Sequence, residues 1–568
     1  MTITLPDDRT VKPFGLQSSR ISVPPASEQP ASDVAGASDD FAEHVDGDLL
    51  QARALAEKHP DSPTSLARLA ASELSFGNRV SARAAADQTL TSDSLDPPAM
   101  LVAAHTFLTL GEIDSADQAL QRVLGESGAG EGAKRAAAAL AARIAAHNGQ
   151  PHAALELLEQ CDDLAGLTLK GTLLIETGRY HDAIRALRAA LNEAPDSPEA
   201  LCNLGYAYAA ADSVRKAMRS TLAATALDPT DRTAGLNLAS LMLPKDAAGT
   251  VDVIDRLISY HPDDLRLVRA AAAAMYEAGD RTGALRRLRR LQGSTRLLEA
   301  TPVEREEFNL DVLLLSEQHM VAPSYAFEHA AQALKRCEYR SAAIARLLAA
   351  GATTSKDLPI LERAYGELLK QHERTALFAV EYTLALLRFD FDRCVEVSEE
   401  WVQHEPFSAD AHVAATYVLA SYAGHYSEAA RVGLTALRRG IHSDGLRNNT
   451  AFALAMDGRP DRAARVLPDL SECELALATA GLIEAVRGDV DRGVKMYGEC
   501  ADQLRSDGRD DVAELVSLYQ LLAEVIGGKE QPEGWFEAVS SCCKSADPRF
   551  AIIFNAITRE AARSGDFR

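Results

Sequence analysis

Residues 164–197 and 198–231 are two copies of one pattern set end to end. Aligned slot for slot, Leu167 falls on Leu201, Gly171 on Gly205, Leu174 on Tyr208, Ala183 on Ala217, Ala190 on Ala224 and Pro195 on Pro229. A unit of about 34 residues is too short to bury its own apolar face, so copies must stack and share a core. The small residue in the eighth and twentieth slots lets two helices approach closely. The proline near the end stops the second helix before the next copy begins. A chain built on this unit is an elongated helical array rather than a globule around one core.

The same punctuation recurs along most of the sequence. A glycine in the fifteenth slot and a small residue in the twentieth pair as Gly77 with Ala82, Gly111 with Ala116, Gly149 with Ala154, and Gly279 with Ala284. They place units opening at Pro63, Pro97, Arg135 and Leu265, and a degenerate one at Arg232 that Pro244 interrupts. Regularity fails between 292 and 374, where helices at 303–318 and 358–370 are surplus and a weak unit from Pro323 carries Tyr339 and Ala342. The period returns with units from Thr375, Asp410, Asp444 and Glu474, the last three with Gly424, Gly458 and Gly488 at the turn.

The predicted organisation is a disordered tail at 1–40, a first array at 41–291, an irregular helical connector with one degenerate repeat at 292–374, a second array at 375–507, and capping helices at 508–568. The tail is rich in Pro, Ser and Asp and has no sustained apolar period. In the closing helices Trp535, Phe536, Phe550 and Phe554 are expected to cover the exposed end of the stack.

Hydrophobic residues make up 47% of the chain but aromatics only 5%, so alanine supplies much of the apolar content. Alanine is the strongest helix former, and the fold class expected is all-α with no sheet. The formal net charge of −23 argues against binding nucleic acid or an anionic membrane, both of which need clustered cations. No run approaches the roughly 20 apolar residues of a membrane span. Residues 1–20 carry Asp7, Asp8 and Pro13 where a secretory leader needs an apolar stretch. Eight scattered cysteines with no C-x-x-C pair are expected to be reduced thiols in a cytoplasmic protein.

No phosphate loop, G-x-S-x-G elbow, H-E-x-x-H helix or calcium loop is present. The glycine-rich run from Gly125 to Gly132 holds two glutamates and follows no strand, so it is expected to be a turn rather than an anion cradle. The histidines show no ligand spacing, and the adjacent Cys542 and Cys543 are expected to be spacers in a closing helix. Arg286, Arg287, Arg289 and Arg290 flank the apolar stripe of Leu285, Leu288 and Leu291 and are expected to face outward. The chain is therefore predicted to be no enzyme and to carry neither cofactor nor metal.

The slot pattern of residues 164–231 resembles the tetratricopeptide repeat. The resemblance extends over most of residues 63–507 and implies an α-solenoid of antiparallel helix pairs, here two arrays joined by the irregular centre. It also implies a protein-interaction scaffold or adaptor that binds a peptide or helical segment of a partner in a concave groove lined by the first helices. A regulatory sensor that changes curvature on binding a peptide is the alternative. In that family slots two, five, six, nine, twelve and thirteen tend to face the groove. The resemblance thereby assigns partner binding to Asn203, Tyr206, Asn237, Ser240, Arg269 and Tyr276, with the two slot-six asparagines, Asn203 and Asn237, gripping an extended backbone and Arg269 pairing with a carboxylate. The lysines of a chaperone-tail clamp are missing from the matching slots.

Overall fold

The structure, a computed structural model, describes residues 49–564 apart from 127, 160, 244, 318–322, 442, 470–474, 507–508 and 530–547. The tail at 1–40, Pro244, Trp535, Phe536, Cys542 and Cys543 lie outside the described residues. Among the described residues every regular element is a helix, and no helix is long and apolar enough to cross a membrane. Contacts group the described residues into two units, 49–234 and 235–564.

The first unit opens with α1 (Leu49–Lys58) and continues as helix pairs. These are α2 (Pro63–Ser75) with α3 (Arg79–Thr91), α4 (Pro97–Leu110) with α5 (Ile113–Gly125), and α6 (Glu131–His147) with α7 (Pro151–Leu157). Then come α8 (Leu164–Glu176) with α9 (Tyr180–Glu193) and α10 (Pro198–Ala210) with α11 (Val214–Leu227). Within each pair the two helices pack on each other, and each first helix also touches the first helix of the pair before it.

Local chemistry sets these boundaries. Asp163 caps α8 by accepting from the Gly166 N–H at 2.7 Å, and Ser197 caps α10 by accepting from Ala200, with Pro198 at the first helical position where no N–H is missed. Between α8 and α9 the chain reverses through Gly178 at φ +73°, a left-handed conformation that glycine adopts without a Cβ clash. The matching slot of the next copy is Asp212, which takes φ +58° despite its side chain.

The predicted small slots are the closest contacts. A Cβ built on Gly171 would stand 2.5 Å from Leu187 Cγ, and one on Gly205 2.2 Å from Thr221 Oγ1. Ala82, Ala116, Ala154, Ala183, Ala217 and Ala284, all in slot twenty, are completely buried. The glycine-rich run is a turn between α5 and α6, where the Glu126 carboxylate accepts from the Gly128 N–H at 3.2 Å.

The second unit begins inside α12 (Arg232–Met242), which pairs with α13 (Ala247–Tyr260), followed by α14 (Leu265–Glu277) with α15 (Arg281–Arg289). The stretch of broken period holds α16 (Thr295–Glu299), α17 (Pro302–Ser316), α18 (Pro323–Arg336) with α19 (Ala342–Gly351), α20 (Leu358–Leu368) and a 3₁₀ turn at Arg374–Leu377. Helix α17 packs on α15 and α18, and α19 packs on both α20 and α21 (Phe378–Leu387), so contacts run through this stretch without a gap. Regular pairing returns as α21 with α22 (Phe391–His404), α23 (Ala409–Tyr417) with α24 (Tyr426–Arg438), α25 (Asp444–Met456) with α26 (Pro460–Val466), and α27 (Ala476–Val486) with α28 (Val490–Ser506). The described chain closes with α29 (Asp510–Ile526) and α30 (Pro548–Ser564). Helix α23 runs on as a π-helical turn, Val418–Ala423, that ends at Gly424.

Candidate functional site

Slot six points inward. Asn203 on α10 is 1% exposed, and its side-chain amide donates to Thr172 Oγ1 on α8 at 3.0 Å. Asn237 on α12 is completely buried. Asn449 on α25 repeats the arrangement, donating to the Val413 carbonyl at 3.3 Å and to Thr416 Oγ1 at 3.4 Å on α23. In its slot-five neighbour Asn448, the side-chain oxygen accepts from Thr479 on α27 at 2.7 Å. At Asn203 and Asn449 the slot-six side-chain N–H therefore ties a first helix to the one before it. Asn203 and Asn237, the two asparagines expected to grip a partner's backbone, are thus both buried among the helices.

Arg269 is likewise internal. It sits on α14 at 5% exposure, with Nε donating to Asp311 Oδ2 at 2.5 Å and Nη1 to Glu307, both on α17. Glu307 accepts in turn from Ser341 Oγ, the cap of α19, at 2.6 Å. Burial opposes the charge on Arg269, but the two carboxylates outweigh it and hold the guanidinium above its ordinary range. The cation is thus paired within its own chain, with α17.

Tyr206, Ser240 and Tyr276 remain half-buried on their helices. The six residues divide between the two units, Asn203 and Tyr206 in the first and the other four in the second.

Slot nine of the first helices reaches the surface in part of the first unit. It holds His105 on α4, Arg143 on α6, Thr172 on α8 and Tyr206 on α10. His105, Arg143 and Tyr206 are half-buried, whereas Thr172 is enclosed and takes the Asn203 bond. Burial lowers the His105 pKa, and the positive charge of Arg143, one repeat away, lowers it further. His105 and Arg143 escaped the sequence reading. The signal that would have found them is the slot they share with Tyr206.

Helices α7, α8 and α9 line a cleft of about 530 Å³ whose walls include Leu155, Leu174, Ala186, Lys170 and Asp182. Asp182 accepts from Arg179 Nη2 and from Arg185, each at 2.6 Å, and these contacts hold its carboxyl below the usual range. Among the described residues no group of three or more His, Cys, Asp or Glu is placed to hold a metal ion. Cys161, Cys202, Cys337, Cys394 and Cys500 are free and buried, and burial pushes the Cys161 thiol up to about 11. Arg286, Arg289 and Arg290 are exposed as expected, while Arg287 pairs with Asp255.

Residues 171–211 match a family model described as TPR repeat. Among solved structures, a tetratricopeptide repeat protein from Parabacteroides merdae is 20% identical, with 45% of this chain and 98% of that chain covered at a TM-score of 0.35. YrrB, described as a TPR protein with an unusual peptide-binding site, is 17% identical over 39% of this chain and 96% of its own at 0.24. The Cut9-Hcn1 hetero-tetramer of the APC/C is 12% identical over 80% of this chain and 95% of its own at 0.39. No curated protein matches the chain. Residues 171–211 thus carry a tetratricopeptide repeat, and helix pairs closed on small residues continue on both sides of it.

Proposed function

We propose that this protein is a non-catalytic scaffold that holds a segment of a partner protein along the first-helix face of residues 49–234. The observation that carries this reading is the slot-nine column. His105, Arg143 and Tyr206 come from three different repeats, and each is half-buried on a first helix. A side chain fixed at its base and open at its tip loses little freedom on binding. Tyr206 offers a ring and a hydroxyl. Arg143 offers a charged donor for a carboxylate. His105, kept neutral by burial and by Arg143, offers an uncharged hydrogen bond beside it. An extended segment laid across α4, α6, α8 and α10 meets His105, Arg143 and Tyr206 and passes over the enclosed Thr172 of α8.

The test is site-specific photocrosslinking of the full chain in its own cells. A photoreactive residue at His105 or Tyr206 is expected to capture a protein, whereas the same residue at the exposed Arg188 on α9 is expected to capture none. Equal capture at all three positions, or capture at Arg188 alone, overturns the assignment of the face.

A further inference from the structure

Helix α30 makes a contact that no repeat rule predicts. The second unit stacks the first helices α23, α25, α27 and α29 in succession, and α30 then lies on α29 and on the π-helical turn that ends α23. Its partners at that turn precede it by more than 130 residues, as in the Asn555–Tyr422 and Tyr426–Glu560 bonds.

Two kinds of chemistry hold it there. Along one face Phe550, Ile553 and Ile557 are buried at helical spacing, in one core with Phe452 of α25 and Tyr519 of α29. The Phe452 ring stands edge-on to Tyr519 at 6.1 Å and to Tyr426 at 6.5 Å, an aromatic floor that joins α24, α25 and α29 within the core that α30 shares. At the other end the contact is polar. The π turn is closed by a His425 N–H bond to the Leu419 carbonyl, which leaves the Ser421 and Tyr422 carbonyls pointing out of the helix end. Arg559 donates to the Tyr422 carbonyl at 2.5 Å and the Ser421 carbonyl at 3.4 Å, and Asn555 donates to Tyr422 at 3.0 Å. Arg559 also donates to the Tyr426 hydroxyl at 2.9 Å, and that hydroxyl donates to Glu560 at 2.8 Å. Arg559 and Arg563 both stand over the Tyr426 ring, within 5.9 Å of its centroid.

A helix held by an apolar i, i+3, i+7 face and by an arginine that reads exposed carbonyls has the form of a ligand helix in a groove. We propose that the seat formed by α29, the π turn of α23 and Tyr426 of α24 is a second partner site, selective for an amphipathic helix with this apolar face and an arginine two residues beyond it. In the resting chain α30 fills the site in cis. A partner helix of the same chemistry competes with α30 for the aromatic floor and for the Ser421 and Tyr422 carbonyls. The site is separate from the face of residues 49–234, and photocrosslinking at His105 and Tyr206 reads that face without passing through it.

The test uses the full chain and a fluorescent peptide of residues 548–564 as the probe. Arg559→Glu in the chain removes the donor to the π turn and the cation over Tyr426, and loosens α30 while Phe452 and Tyr519 stay in place. The variant chain is expected to bind the peptide at least tenfold more tightly than the unaltered chain. A peptide that itself carries Arg559→Glu is expected to compete at least tenfold less well. A helical Arg559→Glu chain that binds the peptide no better than the unaltered chain overturns the proposal. Should that variant not fold, amide exchange on the unaltered chain decides. Exchange at least tenfold faster in α30 than in α29 is expected, and a single common rate overturns the proposal.

Discussion

The side-chain amide of Asn203 donates to Thr172 Oγ1 at 3.0 Å, from the first helix of one repeat to the first helix of the repeat before it. Thr172 passes its own hydroxyl proton on to the Thr168 carbonyl at 3.1 Å, so the bond ends in the backbone of α8. This relay fixes the register of two neighbouring repeats from inside their interface, where no ligand reaches it.

Replacing Asn203 by alanine is therefore a stability change. A buried hydrogen bond between uncharged groups contributes about 0.5–1.5 kcal/mol, and the vacated space adds to the loss. Asn203→Ala is expected to lower the stability of the first unit by about 1–2 kcal/mol, seen as faster amide exchange in α8 and α10. Exchange unchanged in both helices would show that the amide bond carries no register.

Much of the fold was legible because its determinants lie within one repeat. Gly171 and Leu187, or Asp163 and Gly166, are close in sequence and recur with the period, so their slots predict helix, turn and packing. The site was less legible because it depends on partners outside the repeat. Arg269 reads as an open cation until α17, a helix surplus to the period, brings Glu307 and Asp311 against it. Slot six reads as groove-lining until the neighbouring first helix supplies Thr172 or Thr416. The seat of α30 on the turn at Tyr422 has no local trace at all, since it joins positions 133 residues apart.

Arg269 makes a second prediction. Asp311 is completely buried, and removing its cation strands a charge in the interior. Breaking one side of a buried pair costs about 3–5 kcal/mol. Arg269→Met is expected to destabilise the second unit by that order, and adding Asp311→Leu to recover most of the loss. A denaturant midpoint that does not rise on adding Asp311→Leu would show that the pair is not the source of the cost.

His412 on α23 gives a pH dependence. Its Nδ1 lies 2.7 Å from the Ser408 carbonyl, and burial, aided by the charge of Arg439, lowers its pKa to about 4. The unfolded chain takes up that proton near pH 6.5, whereas the folded chain stays neutral down to about 4. The contribution is thus fully present above about pH 6.5 and is lost as the pH falls toward 4, to a total on the order of 3 kcal/mol. His412→Leu is expected to flatten this part of the stability profile between pH 6.5 and 4. An unchanged slope would place the titrating group elsewhere.

The close approach of α10 and α11 makes a prediction whose sign runs against helix propensity. Alanine favours a helix interior over glycine by about 1 kcal/mol, so Gly205→Ala would stabilise an exposed helix. Here the added Cβ meets Thr221 Oγ1 at 2.2 Å, and Thr221 is 1% exposed with nowhere to turn. Overpacking of this kind costs about 1–3 kcal/mol, so Gly205→Ala is expected to destabilise the first unit. Thr221→Ala deletes the clashing oxygen and leaves the backbone of Thr221 and Ala217 at 3.3 Å and 3.4 Å, a separation that a small shift relieves. The pair of substitutions is expected to be more stable than Gly205→Ala alone, giving a favourable coupling in a double-mutant cycle. Additive effects of the two changes would mean that α10 and α11 settle further apart than the Gly205–Thr221 contact requires.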